Sequence, residues 1–441
     1  MKRLIARIVE FFRREQRFRN IFTFIIFTGF FFTLLYLTLA EVVSNVYGTL
    51  VGFAISTMIL YSVKVLRGWL EDLLKINYNT EELLDLYNGD RDYRKTVRGV
   101  DSSVDVAYAP IFINREKLTY TDFEVDDDPK KDFQLPDFAS GHFETLFAAH
   151  SNSVKNNQHT IRLDRYDPVE RKFYLSRSTY FNHLVTNRAV DFLIFDDVSL
   201  RSVYEQGPVL KPLEENQFSN HVGINALVFL ADGKILIPRR KRNATISKNK
   251  VTSSLAIKLE FPERKDKDDY YDPKNLKIDA EHLLYQNIIE QMPGKIKISK
   301  EKIKEKNPEI TFLGFGQNIY EGGKPQFYFA VDMSNLTVDA YYSLAEDYLK
   351  AKREKEKAER LECKKKNKKP KKKIDQDRCV YVADYNSFSY KNSKMQFTAY
   401  GKNNRTFKVT TGYEMSYLCN IWNFEAIKEQ ENIPEVCAEA K

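Results

Sequence analysis

The chain has 441 residues, of which 43% are hydrophobic, 13% aromatic and 29% charged, a composition that excludes a disordered or collagen-like chain. Its formal net charge of +8 is local: residues 1–19 hold seven Lys/Arg against two Glu, and residues 350–373 hold fourteen against four. The remainder is mildly acidic, which excludes a broadly basic nucleic-acid-binding body, so no DNA binding is expected. Cys363, Cys379, Cys419 and Cys437 fit neither a disulfide framework nor a zinc motif and read as reduced thiols of a cytosolic compartment.

Residues 1–19 predict a basic amphipathic segment, with Leu4, Ile5, Ile8, Val9, Phe11 and Phe12 at helical spacing between arginines. Asn20–Ala40 and Val42–Val63 carry no charge, and each is long enough to cross a bilayer as a helix. Together they predict a transmembrane helical hairpin over residues 20–66, turning near Ser44 and Asn45. The flanking cations place both termini in the cytoplasm of a multi-pass inner-membrane protein. Gly48, Gly52 and Ser56 recur every fourth position, a spacing that suits close helix contact, within the hairpin or between subunits.

Residues 67–99 read as a helical stalk and residues 100–215 as an α+β region. Within the latter, the acidic run Val125–Lys131 and the polar run Ser151–His159 read as solvated loops. Phe173–Leu175 and Phe192–Phe195 read as strands, and residues 180–188 as a helix without a catalytic motif. Residues 216–441 carry the sharpest pattern. Ile224–Leu230 reads as a buried strand that turns at Asp232-Gly233 and returns through Lys234–Pro238. Asp279–Met292 reads as a helix stopped by Pro293-Gly294, and Ile310–Tyr320 and Gln326–Val331 as a second hairpin. A long helix over 338–362 enters the basic insertion 350–373, and a last helix spans Tyr413–Ile427. That insertion reads as a solvated segment, with attraction to anionic lipid as the alternative.

The stretch SNHVGINALVFLADGKILIPRRKR, the helix before Pro293-Gly294 and the stretch FLGFGQNIYEGGKPQFYFAV together resemble a degenerate Nudix fold. The resemblance implies a mixed sheet with flanking helices. The family's catalytic helix carries several acids for Mg²⁺, and here Asn287 and Gln291 stand where acids belong, leaving Glu290 as the residual one. No catalytic residue, no metal site and no cofactor are therefore expected. The alternative is a membrane-tethered hydrolase of a nucleoside diphosphate derivative, which would require Mg²⁺.

With the hairpin, the whole resembles the two-transmembrane Nudix-type effectors of cyclic-oligonucleotide antiphage defence. What that resemblance implies is a receptor for a cyclic di- or oligonucleotide that self-assembles in the lipid bilayer and disrupts the membrane. The candidate ligand residues are Arg239, Arg240, Arg242, Lys250, Ser254, Lys258, Tyr320, Lys324 and Tyr328, since guanidinium and ammonium groups recognise phosphate and aromatic faces stack on bases. Gly48, Gly52 and Ser56 are the candidate assembly face. The six histidines have no metal-ligand spacing.

Overall fold

The structure is a computed structural model. It describes residues 53, 56–57, 60–61, 75–89, 91–150, 157–195, 197–240, 249–261, 276–365 and 379–431. Fourteen strands fall in this part. In chain order they are β1 Arg94–Arg98, β2 Ser103–Ile113, β3 Glu124–Asp132, β4 His159–Asp167, β5 Lys172–Thr179, β6 Gly223–Leu230 and β7 Lys234–Pro238, then β8 Leu255–Lys258, β9 Glu309–Asn318, β10 Lys324–Met333, β11 Val380–Asp384, β12 Ser389–Lys391, β13 Lys394–Tyr400 and β14 Thr406–Thr411. Eleven form one sheet in the order β1-β2-β9-β10-β6-β7-β11-β13-β12, with β8 added to β6 and β14 to β13. β3, β5 and β4 form a second, small sheet.

The two hairpins expected from the sequence are β6–β7 and β9–β10. Asp232 and Gly233 turn the first at φ 56° and 63°. β6 then pairs in parallel with β10 along its whole length, from Gly223 beside Gln326 to Leu230 beside Met333. Both strands are buried on both faces. Ile224, Ala226, Val228, Phe327, Phe329 and Val331 face one core, and Leu227 and Tyr328 face the other. The near-continuous apolar sequence of β6 follows from this double burial.

The other edge of β6 forks. Its first half pairs with β8 and its far end with β7, at Phe229 and Ile235. Between the two partners the Ser254 hydroxyl accepts a hydrogen bond from the Val228 amide at 2.8 Å and donates to the Leu236 carbonyl at 2.5 Å. A buried amide without a strand partner would otherwise go unsatisfied.

The large sheet curls until its ends nearly meet. The Val100 amide donates to the Phe388 carbonyl at 2.8 Å, and the Tyr390 amide to Ser102 Oγ at 2.7 Å. Gly99 permits this closure, because a Cβ there would stand 2.5 Å from the Phe388 oxygen. Inside the curl lies the helix Met415–Glu431, packed against β1, β2, β6, β9 and β10. Tyr417, Leu418, Cys419, Asn420, Ile421 and Asn423 are all buried, so apolar and neutral polar residues surround the helix axis rather than forming one stripe.

The opposite face of the sheet carries the other large core. The helix Asn287–Ile296 and the small sheet pack there. That helix runs through Pro293 and Gly294 and ends at Lys297, which takes the left-handed conformation at φ 65°. The expected stop at Pro293-Gly294 is thus displaced by one turn. Proline in a helix forfeits one amide donor, and the remaining packing of Met292 and Ile296 outweighs that loss.

Several expectations are corrected by these findings. Among the described residues no helix is long and apolar enough to cross a membrane. The long helix Val338–Lys365 is charged over its second half, and the first half of Met415–Glu431 is buried in protein. The spans expected over 20–66 lie outside the described residues except for Phe53, Ser56, Thr57, Leu60 and Tyr61, which are helical. A transmembrane hairpin and a multi-pass inner-membrane location are therefore not supported and are set aside. The sheet is also not the expected Nudix-like mixed sheet flanked by helices, because it nearly closes around one helix. In the stretch expected as a stalk, the helix Thr80–Leu86 and β1 both pack into the core. Phe192–Phe195 forms no strand and makes only one bridge, from Phe195 to Val198.

The acidic run Val125–Lys131 is part of β3 rather than a loop. Its partner explains why. Arg177 on β5 meets Asp127 through paired bonds of 2.6 and 2.8 Å, with both side chains almost fully buried. The same carboxylate accepts from the Ile278 amide at 2.7 Å, and Arg177 also donates to the Leu276 carbonyl at 2.6 Å. Removing one partner strands a buried charge. Asp127→Ala is therefore expected to lower unfolding free energy by about 3–5 kcal/mol, read as a fall in the denaturant midpoint. A loss below about 1 kcal/mol, the range of an exposed pair, would contradict this assignment.

Candidate functional site

A small open cleft of about 120 Å³ lies where β6, β8 and β10 begin or end beside the start of the central helix. Asn225 of β6 and Gln326 of β10 form part of its lining, joined by a bond from Asn225 Nδ2 to Gln326 Oε1 at 2.8 Å. Gly223 makes room for that amide, since a Cβ there would stand 2.3 Å from Gln326 Oε1. His183 and Arg188 come from the helix Tyr180–Val185 and the turn after it. Tyr320, Glu321 and Lys324 come from the β9–β10 connection. Arg240 follows β7, and Glu414, Met415 and Ser416 bring in the first turn of the central helix.

The charges in this cleft are paired internally. Glu321 contacts both Arg188 and Lys324, the latter at 3.2 Å. Arg240 contacts Glu414, with Nε 2.5 Å from Oε1 and a hydrogen bond from Nη2 to Oε2 at 3.3 Å. Tyr78 stacks on Tyr320 with ring centroids 6.2 Å apart, and the Lys250 ammonium lies 5.1 Å from the Tyr78 ring centroid. Four cations thus meet two carboxylates, which leaves the cleft electropositive.

Titration behaviour follows from burial and these partners. Burial alone would raise the Glu321 carboxyl, but Lys324 and Arg188 hold it down at about 2. Burial lowers Lys324 although Glu321 opposes the shift. Lys250 is likewise lowered by burial, against the attraction of Glu414. Arg188 is disfavoured by burial, yet Glu321, Tyr78 and Glu414 raise it further. Burial pushes the Tyr78 hydroxyl up to about 12. Low dielectric strengthens the pull of the excess cations on an incoming anion, while the paired carboxylates oppose it.

The sequence candidates divide. Arg240, Tyr320 and Lys324 line the cleft, and Lys250 reaches Tyr78 at its edge. Arg239 turns away and donates to the Asn249 carbonyl at 3.0 Å. Lys258 contacts Gln158 at 2.9 Å and Glu260 at 3.7 Å. Ser254 is the pin of the strand fork. Tyr328 is a core residue, fully buried, edge-on to Tyr108 at 5.6 Å and with its hydroxyl beside the Cys419 thiol. Arg242, Gly48 and Gly52 lie outside the described residues, and Ser56 sits on a helical stretch.

Glu290 is half-buried on the helix Asn287–Ile296. The amides beside it serve the exit of β8. Asn287 accepts from the Glu260 amide at 3.1 Å, and Gln291 donates to the Lys258 carbonyl at 2.8 Å. Among the described residues no group of three or more His, Cys, Asp or Glu side chains is placed to hold a metal ion.

Tyr78, His183, Arg188, Asn225, Glu321, Gln326 and Glu414 were not identified from the sequence. Their segments lie far apart in the chain and carry no shared motif. Glu321 alone had a local signal, since it stands three residues before Lys324 in the EGGK turn.

No protein-family model matches the chain, and no curated protein matches it. The expected Nudix-type, antiphage-effector and membrane-disrupting assignments thus have no family behind them. With the membrane hairpin also unsupported, they are withdrawn.

His183 and His221 lie beside the cleft with ring centroids 4.8 Å apart and planes tilted by 31°. Burial lowers both well below the usual imidazole range, and Lys324 adds to the shift of each. Arg188 and His150 also face His183, while Lys258 lowers His221 and Glu321 partly opposes. A depressed imidazole contributes stability that is full above its unfolded value near 6.5 and is lost as pH falls toward the folded value. Glu205 and Glu425, raised by burial to about 7, act with the opposite sign between 7 and 4.5. The histidine effect is isolated by difference. The unfolding free energy of the native chain minus that of a His183→Asn/His221→Asn variant should fall between pH 7 and 5. A flat difference would show that the histidines titrate freely.

Proposed function

We propose that the cleft is a receptor site for a nucleotide, with phosphate held by Arg188, Lys324 and Arg240 and a flat base against Tyr78. The observation that carries this reading is convergence: three cations from three separate segments meet in one cleft beside a stacked tyrosine pair. Guanidinium groups match phosphate oxygens in paired geometry, and aromatic faces accept any base. The Asn225–Gln326 amide pair supplies hydrogen-bonding groups of the kind that read a base edge. A cyclic di- or oligonucleotide belongs to this ligand class, as do linear mononucleotides.

Binding without turnover is the activity expected of this site. Its two carboxylates are neutralised by cations, and the face of the helix Asn287–Ile296 that carries Glu290 uses its amides to hold β8. Calorimetry of the full chain against linear mononucleotides and cyclic di- and trinucleotides tests the reading. At least one should bind, and Arg188→Ala and Arg240→Ala should each weaken it by about tenfold to a hundredfold, the value of a charge-assisted hydrogen bond. Binding should also weaken as salt is raised. No binding across the panel by the folded chain would refute the proposal.

A further inference from the structure

Resting on that reading, we infer that Glu414 is the internal counter-anion of the cleft and that a ligand phosphate displaces it from Arg240. This makes Glu414 the residue that sets how much negative charge a ligand must carry. Its position supports the role. Glu414 is buried at the entry to the helix Met415–Glu431, whose first residues line the cleft. Its charge acts on Arg188, Lys250 and Tyr78 as well as on Arg240.

The contact with Arg240 is imperfect. Nε and Oε1 stand 2.5 Å apart, yet neither atom makes a hydrogen bond of normal geometry, and only the longer Nη2–Oε2 bond is directional. Arg188 and Lys324 differ, because both bear on the one carboxylate of Glu321. A phosphate has three oxygens with which to meet the Arg240 fork, whereas Glu414 is held in place by its own backbone, its amide bonded to the Val251 carbonyl at 3.0 Å. The ligand therefore competes with a tethered and poorly aligned anion.

Competition has a selective consequence. A singly charged ligand replaces one carboxylate contact with one phosphate contact and gains little. A ligand with two or more negative charges satisfies Arg240 and still engages Arg188 and Lys324. Displacement also frees the first turn of the central helix, which gives binding a route into the core. Such a change requires that the ligand favour the displaced arrangement by a differential affinity.

The test measures binding of inorganic pyrophosphate and of AMP to the full chain, its Glu414→Gln variant, its Arg240→Gln variant and the double variant. Glu414→Gln should tighten pyrophosphate binding by about tenfold, as expected when an internal competitor is neutralised. The gain should be absent when Arg240→Gln is already present. Amide exchange in the first turn of Met415–Glu431 should quicken when pyrophosphate binds the native chain. Unchanged or weaker binding by a folded Glu414→Gln variant, with native binding intact, overturns this inference and leaves the receptor reading standing. Absence of native binding to both probes overturns this inference, whereas the receptor reading falls only if the folded chain also binds none of the wider nucleotide panel.

Discussion

The enclosure of one helix constrains most of this structure. The first half of Met415–Glu431, through Asn423, is surrounded by strands, which places several polar groups inside the protein. Asn423 donates to Tyr108 Oη at 3.2 Å and to the Cys419 carbonyl at 2.7 Å, while Tyr385 donates to Glu425 at 3.1 Å. Trp422 and Phe424 pack against Tyr108 and Phe229, with ring centroids 5.7 and 4.6 Å apart. Burial raises the Cys419 thiol to about 12, so it behaves as a packed core group rather than a nucleophile. A sheet that must cover a helix on several sides has to curl, and the close approach at Gly99 follows from that requirement.

The curl also determines where the cleft can form. β6 and β10 run parallel through the centre, so their first residues lie at the same end as the start of the enclosed helix. Asn225, Gln326, Lys324 and Glu414 meet there. Strand residues that would face solvent in an open sheet instead face one another across a confined space. The fork of β6 between β7 and β8 brings Arg240 and Ala256 to the same rim, and Ser254 keeps the fork's backbone satisfied.

Electrostatics then sets the character of the cleft. Buried cations are tolerated because each has a carboxylate close by, and the unequal count leaves an excess of positive charge. Arrangements of this kind are weak contributors to stability and strong recognition elements, since desolvation has already been met when a ligand arrives. The neutral histidine pair fits the same logic. Two more charges beside Lys324 and Arg188 would be repelled, so burial and repulsion together keep the rings uncharged.

The sequence by itself determined the local pattern of residues 216–441: the two hairpins, the turn at Asp232-Gly233, and helices over 279–292, 338–362 and 413–427, which the structure places at Asn287–Ile296, Val338–Lys365 and Met415–Glu431. These depend on period, turn chemistry and apolar runs, all of which are local. It also supplied three of the cleft's fifteen lining residues, because Arg240, Tyr320 and Lys324 cluster at hairpin ends. Only the tertiary structure decided that β3 is a strand, since Asp127 is buried by an arginine fifty residues away. Only the tertiary structure separated Lys324, which lines the cleft, from Tyr328, which lies in the core four residues along the same strand. Arg188 and Glu414 belong to the site through the fold alone. Charge pairing over such sequence separations has no local signature, because the desolvation and Coulomb terms that select it exist only once the chain has closed.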